Sequence, residues 1–157
     1  MFHNYFYKKG VTAVELLVVL IVLSIVFSIA LKPFSKFKDN QSLNSNVVQI
    51  VSLLNDARSA TVSSKESSQY GVHFESGRAV YFKGNSFSEP SSYNREIILD
   101  SSLQISTISL NGSGSDVVFE QLTGETNNYG SVVFEAKSST TSKKTINITQ
   151  TGISNHD

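Results

Sequence analysis

The strongest pattern in the chain is an apolar run, Val11–Leu31, reading VTAVELLVVLIVLSIVFSIAL. Glu15 is its one strongly polar residue, with Thr12, Ser24 and Ser28 as mild intrusions. A helix of that length covers roughly 31 Å, the thickness of a ~30 Å hydrocarbon core. Lys32-Pro33-Phe34 follows, and a proline inside a helical run removes a backbone bond and bends the helix. A second pattern then begins at Leu43 and continues through Val47, Ile50, Val51, Leu54, Ala57, Arg58, Thr61 and Val62. That is the spacing of an amphipathic helix. It fades into the loop chemistry of Ser63–Ser68. The first part of the chain therefore predicts one long helix kinked near Pro33, apolar all round at its start and apolar on one face at its end.

From Gln69 the period changes to two. Tyr70–Phe74 and Ala79–Lys83 flank Glu75-Ser76-Gly77-Arg78, a hairpin with a glycine in its turn. A polar loop over residues 84–94 contains Pro90. Further strands are expected at Glu96–Leu99, Leu103–Leu110, Val117–Leu122, Val132–Ala136 and Thr145–Thr149, separated by Gly-, Ser- and Asn-rich links. Short strands on short links pair antiparallel. The expected fold class is α+β: a long N-terminal helix, transmembrane in its first half and amphipathic in its second, packed on an antiparallel β-sheet head.

Charge removes some functions. Thirteen basic residues balance thirteen acidic ones, so no global field gathers nucleic acid or acidic substrates. The absence of cysteine excludes disulfides, thiolate metal sites and cysteine nucleophiles. His3, His73 and His156 have no ligand spacing, and His73 reads as a half-buried strand residue. Gly112-Ser113-Gly114-Ser115 lacks the lysine and the following helix of a phosphate loop. No Gly-x-Ser-x-Gly elbow is present. Asp100, Asp116, Glu120 and Glu125 are acids suited to calcium, but without EF-hand spacing they read as solvated carboxylates. Arg58, on the helix stripe, reads as an internal ion-pair partner. Neither a catalytic group nor a cofactor is expected.

Three explanations fit the N-terminal segment. A secretory signal peptide would take Leu16–Phe27 as its apolar region and Ser28-Ile29-Ala30 as its cut site, but Glu15 is misplaced for it. An uncleaved anchor needs only the apolar run. Lys8 and Lys9 before the run favour a cytoplasmic start, while Lys32, Lys36 and Lys38 after it weaken that orientation. A carboxylate within the span costs up to about 3 kcal/mol at mid-membrane and less near the edge. Glu15 therefore either reaches the headgroups or finds a cationic partner.

The third explanation is a resemblance. Lys8-Lys9-Gly10, followed by Val11-Thr12-Ala13-Val14-Glu15-Leu16-Leu17-Val18-Val19, resembles the processing signal of type IV pilins and pseudopilins. That signal is a short basic leader ending in Gly, a hydrophobic new N-terminus (more often Phe than the Val found here), and Glu fifth in an apolar helix. Leu53-Leu54-Asn55-Asp56-Ala57-Arg58-Ser59-Ala60, Val118-Phe119 with Thr123-Gly124, Val132-Val133-Phe134, and Ile146-Asn147-Ile148 ending at Thr151-Gly152-Ile153 resemble the GspH/FimT-type minor pseudopilins. The resemblance implies a prepilin leader over residues 1–10, a transmembrane and filament-core helix over 11–31, an amphipathic helix over 32–64 and a β head over 65–157. It implies processing at Gly10 and Val11, with N-methylation, and assembly through Glu15. Implied partners are other pilin subunits, a prepilin peptidase, an inner-membrane assembly platform and, before assembly, membrane lipid. The implied location is the inner membrane, single-pass, with the head outside the cytoplasm, in a type II secretion pseudopilus or a type IV pilus. FimT-like members proposed to hold DNA carry arginines beside the last Gly, where this chain ends Ser154-Asn155-His156-Asp157. Removing Lys8 and Lys9 with the leader leaves 11 of the 13 basic residues against 13 acidic ones, so no nucleic acid is expected. The alternatives are a DNA-uptake pilin and a membrane-anchored binding module that never polymerises.

Overall fold

The computed structural model describes residues 10–30 and 32–157, with side chains described at all of these except 29, 30, 32–36, 139 and 140. Residues 1–9, including Lys8 and Lys9 of the expected leader, and Leu31 lie outside the described residues. The chain divides into two compact units, Met1–Phe37 and Lys38–Asp157.

In the first unit, helix α1 runs Ala13–Ala30. It starts at Ala13 because Thr12 caps it: the Glu15 backbone N–H donates to Thr12 Oγ1 at 3.2 Å, and Leu16 N–H donates to the Thr12 carbonyl at 3.2 Å. The first helical residue is thus Ala13, two after the expected Val11, and the described part of the helix reaches Ala30, next to Leu31, which lies outside the described residues. Among the described residues no helix is long and apolar enough to cross a membrane. α2 runs Lys32–Val62 and includes Pro33; the kink expected there adjoins Leu31, which lies outside the described residues.

Within the second unit, α2 buries Leu43, Val47, Ile50, Leu54, Ala57 and Thr61, each 2% exposed or less, with Leu53 beside them. The predicted stripe holds along its centre, while Arg58 and Val51 are half-buried and Val62 is exposed at its margin. Thr61 joins the helix end to the first strand. Its hydroxyl donates to the Ala57 carbonyl at 2.9 Å and accepts the Tyr70 N–H at 2.9 Å. The intervening segment turns sharply through a short 3-10 turn, Lys65–Ser67. Ser64, Glu66 and Ser67 there have φ of 51°, 50° and 50°, a region that side chains other than glycine adopt at a cost.

Eight strands follow: β1 Tyr70–Glu75, β2 Arg78–Lys83, β3 Arg95–Ile98, β4 Leu103–Leu110, β5 Asp116–Val118, β6 Gly130–Ala136, β7 Ser139–Ile148 and β8 Ser154–His156. The single sheet expected from sequence is two, ordered β3-β2-β1-β5 and β4-β6-β7-β8, with every pair antiparallel. The predicted hairpin pairs Tyr70 with Lys83 through to Glu75 with Arg78. One core cluster joins the α2 stripe to Tyr70, Val72 and Phe74 of the first sheet and Ile105, Val132, Phe134 and Ile146 of the second. The opposite face of the first sheet is covered as well. Val80 and Phe82 are buried, and Phe87, from the loop expected to be merely polar, packs edge-on to Phe82 at 5.8 Å and flat on His73 at 4.0 Å.

Candidate functional site

Gly10 and Val11 precede α1 in exposed chain outside any helix or strand, and a side chain at Gly10 would meet nothing within 4 Å. From Val11 to Phe27, large apolar side chains are 45–72% exposed on every side of the segment. An apolar surface that runs all round a helix has no partner in its own unit and needs lipid or protein around it. The mild polar residues are satisfied internally. The Ser24 hydroxyl donates to the Leu20 carbonyl and the Ser28 hydroxyl to the Ser24 carbonyl, each at 2.8 Å, leaving no serine donor to the surroundings. Glu15 is exposed, and among the described residues no cation lies within ion-pair distance of it. Thr12-Ala13-Val14-Glu15 also has the spacing of a capping box, Thr with Glu three residues later. The signal for it, Thr with Glu three residues on ahead of an apolar run, is present in the sequence itself.

In the head, three pieces of the sequence pattern meet. Arg58 Nε donates to the Gly124 carbonyl at 3.0 Å. A Cβ at Gly152 would lie 2.0 Å from that same carbonyl oxygen and 2.9 Å from Arg58 Nε, and one at Gly124 would lie 2.6 Å from Val62 Cγ2. Both glycines have positive φ, 69° and 76°, which glycine adopts freely. Thr126 N–H donates to the Gln150 carbonyl at 2.9 Å alongside. The crossing of the 120–126 loop over the 149–153 turn is therefore closed by the end of α2. The ion pair expected of Arg58 is corrected: its partner is a backbone carbonyl, and among the described residues no carboxylate pairs with it.

His73, expected as a plain strand residue, is half-buried but engaged. Its Nδ1 lies 2.5 Å from Asp116 Oδ1 and its Nε2 3.5 Å from Glu75 Oε1. Asp116 Oδ2 accepts the Phe87 N–H at 3.2 Å, tying the 84–94 loop to the sheet. Arg78 gathers three carboxylates, Glu75 at 2.8 Å, Glu89 at 2.9 Å and Glu96 at 3.0 Å. Hydrogen bonds from its guanidinium hold the Glu75 carboxyl below the usual range, and those carboxylates push Arg78 itself upward. The Ser102 N–H and hydroxyl hold Asp100 low in the same way. The acids considered for calcium are thus dispersed: Asp100 on Ser102, Asp116 on His73, Glu120 on Asn127. Among the described residues no three His, Cys, Asp or Glu side chains are grouped to hold a metal.

Compared with known proteins, the chain matches no family model and no curated protein sequence. Among solved structures it is similar to the type IV minor pilin FimU of Pseudomonas aeruginosa, with 16% sequence identity and a TM-score of 0.54. The match covers 73% of this chain and 92% of that one. The fold is a type IV pilin-like fold.

Proposed function

We propose that the chain is a minor subunit of a type IV pilin-class filament, cut after Gly10 and assembled through its N-terminal helix. One observation carries this reading: a helix apolar on every side, with a single carboxylate near its start, belongs to a chain whose head has a minor-pilin fold. Before assembly the apolar segment rests in the inner membrane. Prepilin peptidase frees the Val11 amine, an assembly platform extracts the subunit, and the helices bundle with the head outward. A secretion pseudopilus and a type IV pilus both fit this reading.

Glu15 gives the assembly step its chemistry. Its carboxylate pairs with the Val11 amine of a neighbouring subunit and sets the axial register of the helices. Within a bundle the effective dielectric is low, so an opposite charge a few ångströms away counts far more than in water. An unpaired carboxylate there is correspondingly costly. An uncut precursor offers no such amine and stays inert.

Two measurements test the proposal. The mass of the mature protein is expected to show a Val11 N-terminus bearing one methyl group. Glu15→Gln keeps the capping-box chemistry and removes the charge, so this variant is expected to be cut normally, to remain helical, and to be missing from filaments. Wild-type incorporation of Glu15→Gln reduces Glu15 to a helix-capping residue and defeats the pairing. A mature protein still carrying residues 1–10 defeats the class assignment.

A further inference from the structure

The head carries a second feature, a cleft of about 440 Å³ between the last turns of α2, the 64–67 turn and the outer part of the first sheet. Its chemistry comes from Asp56, Ser59, Lys65, Tyr81, Tyr93 and Arg95. All six lie in the unit Lys38–Asp157.

The polar groups here are unevenly matched. Asp56 Oδ2 takes one Arg95 N–H at 2.6 Å, and a guanidinium has five. Lys65 makes no ion pair, and the Ser59 and Tyr81 hydroxyls make no hydrogen bond, among the described residues. Burial pushes the Tyr81 phenol up to about 12, so it remains a donor at any physiological pH. The cleft therefore offers Lys65, most of Arg95, Ser59 and Tyr81 as donors, against the carboxylate of Asp56 as acceptor. A donor-rich site selects an acceptor-rich ligand.

The second ingredient is aromatic. Tyr93 is 51% exposed and held in place by the Lys83 ammonium, 4.4 Å from its ring centre. Lys83 is itself fixed by Glu66. Tyr81 is backed by the Arg95 guanidinium at 5.0 Å and by Tyr70 at 5.5 Å. Two tyrosines, each with a cation near its ring, line the cleft, and their apolar rings with polar tips suit a ligand ring with an apolar face and hydroxyl edges. The third ingredient is strain. Lys65 is presented by a turn in which Ser64, Glu66 and Ser67 all have positive φ, and backbone strain of this kind concentrates where a side chain must be aimed.

We propose that this cleft binds one acidic sugar residue of a uronate-bearing polysaccharide. Lys65 and Arg95 take the carboxylate, Tyr93 and Tyr81 take the ring, and Ser59 and Asp56 take the hydroxyls. Nucleic acid fits the same surface less well. Phosphate binding draws its affinity from many cations along a stripe, whereas only Lys65 and Arg95 line this cleft and Arg95 already carries one pair, to Asp56. The site belongs to the head alone and does not depend on whether the chain assembles.

The test is calorimetric titration of the full chain in neutral detergent with a short galacturonic-acid oligomer. Saturable binding is expected, weakened about tenfold or more by Lys65→Ala and by Tyr93→Ala and retained by Lys65→Arg and Tyr93→Phe. Both positions changed, Lys65 and Tyr93, carry exposed side chains, so near-UV circular dichroism should show the fold unchanged. The matching neutral galactose oligomer should bind at least about tenfold more weakly. Absence of saturable binding, equal binding by the neutral oligomer, or indifference to Lys65→Ala overturns the proposal. Displacement of the uronate by a single-stranded oligonucleotide of equal charge also overturns it and assigns the cleft to nucleic acid.

Discussion

Substituting alanine at three glycines separates the steric part of the Arg58–Gly124–Gly152 crossing from its conformational part. Gly77 has space for a Cβ and no left-handed backbone, so Gly77→Ala is expected to be neutral or to stabilise by about 0.5 kcal/mol through the unfolded chain. Gly112 has φ of 87° with its nearest neighbour 3.8 Å from the Cβ position. Alanine there meets only the left-handed cost, about 1 kcal/mol after the unfolded-state gain. Gly152 has both problems, φ of 76° and a backbone oxygen 2.0 Å from the Cβ. Because the obstacle is the Gly124 carbonyl that Arg58 holds, the crossing must open for the methyl to enter. Overpacking of this kind adds about 1–3 kcal/mol, so Gly152→Ala is expected to lose about 2–4 kcal/mol in all. For a unit of this size that lowers the melting temperature by about 8–16 °C. The assay is thermal unfolding by near-UV circular dichroism; with no tryptophan in the chain the signal comes from tyrosine, and Tyr70, Tyr81, Tyr93 and Tyr129 lie in this unit. If Gly152→Ala melts within about 2 °C of Gly112→Ala, under 1 kcal/mol separates them and the crossing is not sterically closed.

A fragment of residues 38–157 is expected to be soluble and to melt cooperatively, because the core cluster lies wholly within it; aggregation or a non-cooperative melt would count against that boundary. Glu75 is held low by Arg78, so its contribution is present above its ordinary value of 4.5 and is lost as pH falls through the lower folded value. Unfolding midpoints measured from pH 6 down to pH 3 should accordingly fall less steeply for Arg78→Ala than for wild type, with Asp100 and Glu66 supplying the remainder. Asp116→Ala strands the Phe87 N–H and His73 Nδ1 and should cost about 1–3 kcal/mol, read from urea midpoints, with faster hydrogen exchange in the 84–94 loop; unchanged exchange would show that Phe87 packing alone anchors it.

Much of the fold was legible where side chains repeat with the period of the element. Leu103–Leu110 appears as β4 with those bounds, its alternation slipping by one residue between Ile105 and Thr107, and the 70–83 hairpin carries its own turn. Legibility failed where pairing, rather than propensity, makes the strand. Ser154-Asn155-His156 has no strand-forming residue and is a strand because Ile146–Ile148 lies opposite it. The Ser139–Lys144 half of β7 is polar and rests against β6. The division into two sheets is not visible locally, because β5 returns to β1 after β4 has already started the other sheet, an order that no local pattern encodes. In the site, the apolar segment and Glu15 were evident from composition alone. The partner of Arg58 was not, because a backbone carbonyl leaves no mark in the sequence, although the two glycines that make room for it were among the residues singled out.

That crossing has a consequence for a chain without cysteine. Residues 58, 124 and 152 are fastened to one another by shape and one hydrogen bond, across separations that a disulfide would otherwise close. Such a fastening needs no oxidant and no isomerase to find its correct partner, and no reductant can undo it. The head can therefore reach the same folded form in a reducing compartment as in an oxidising one, and its durability does not vary with redox conditions.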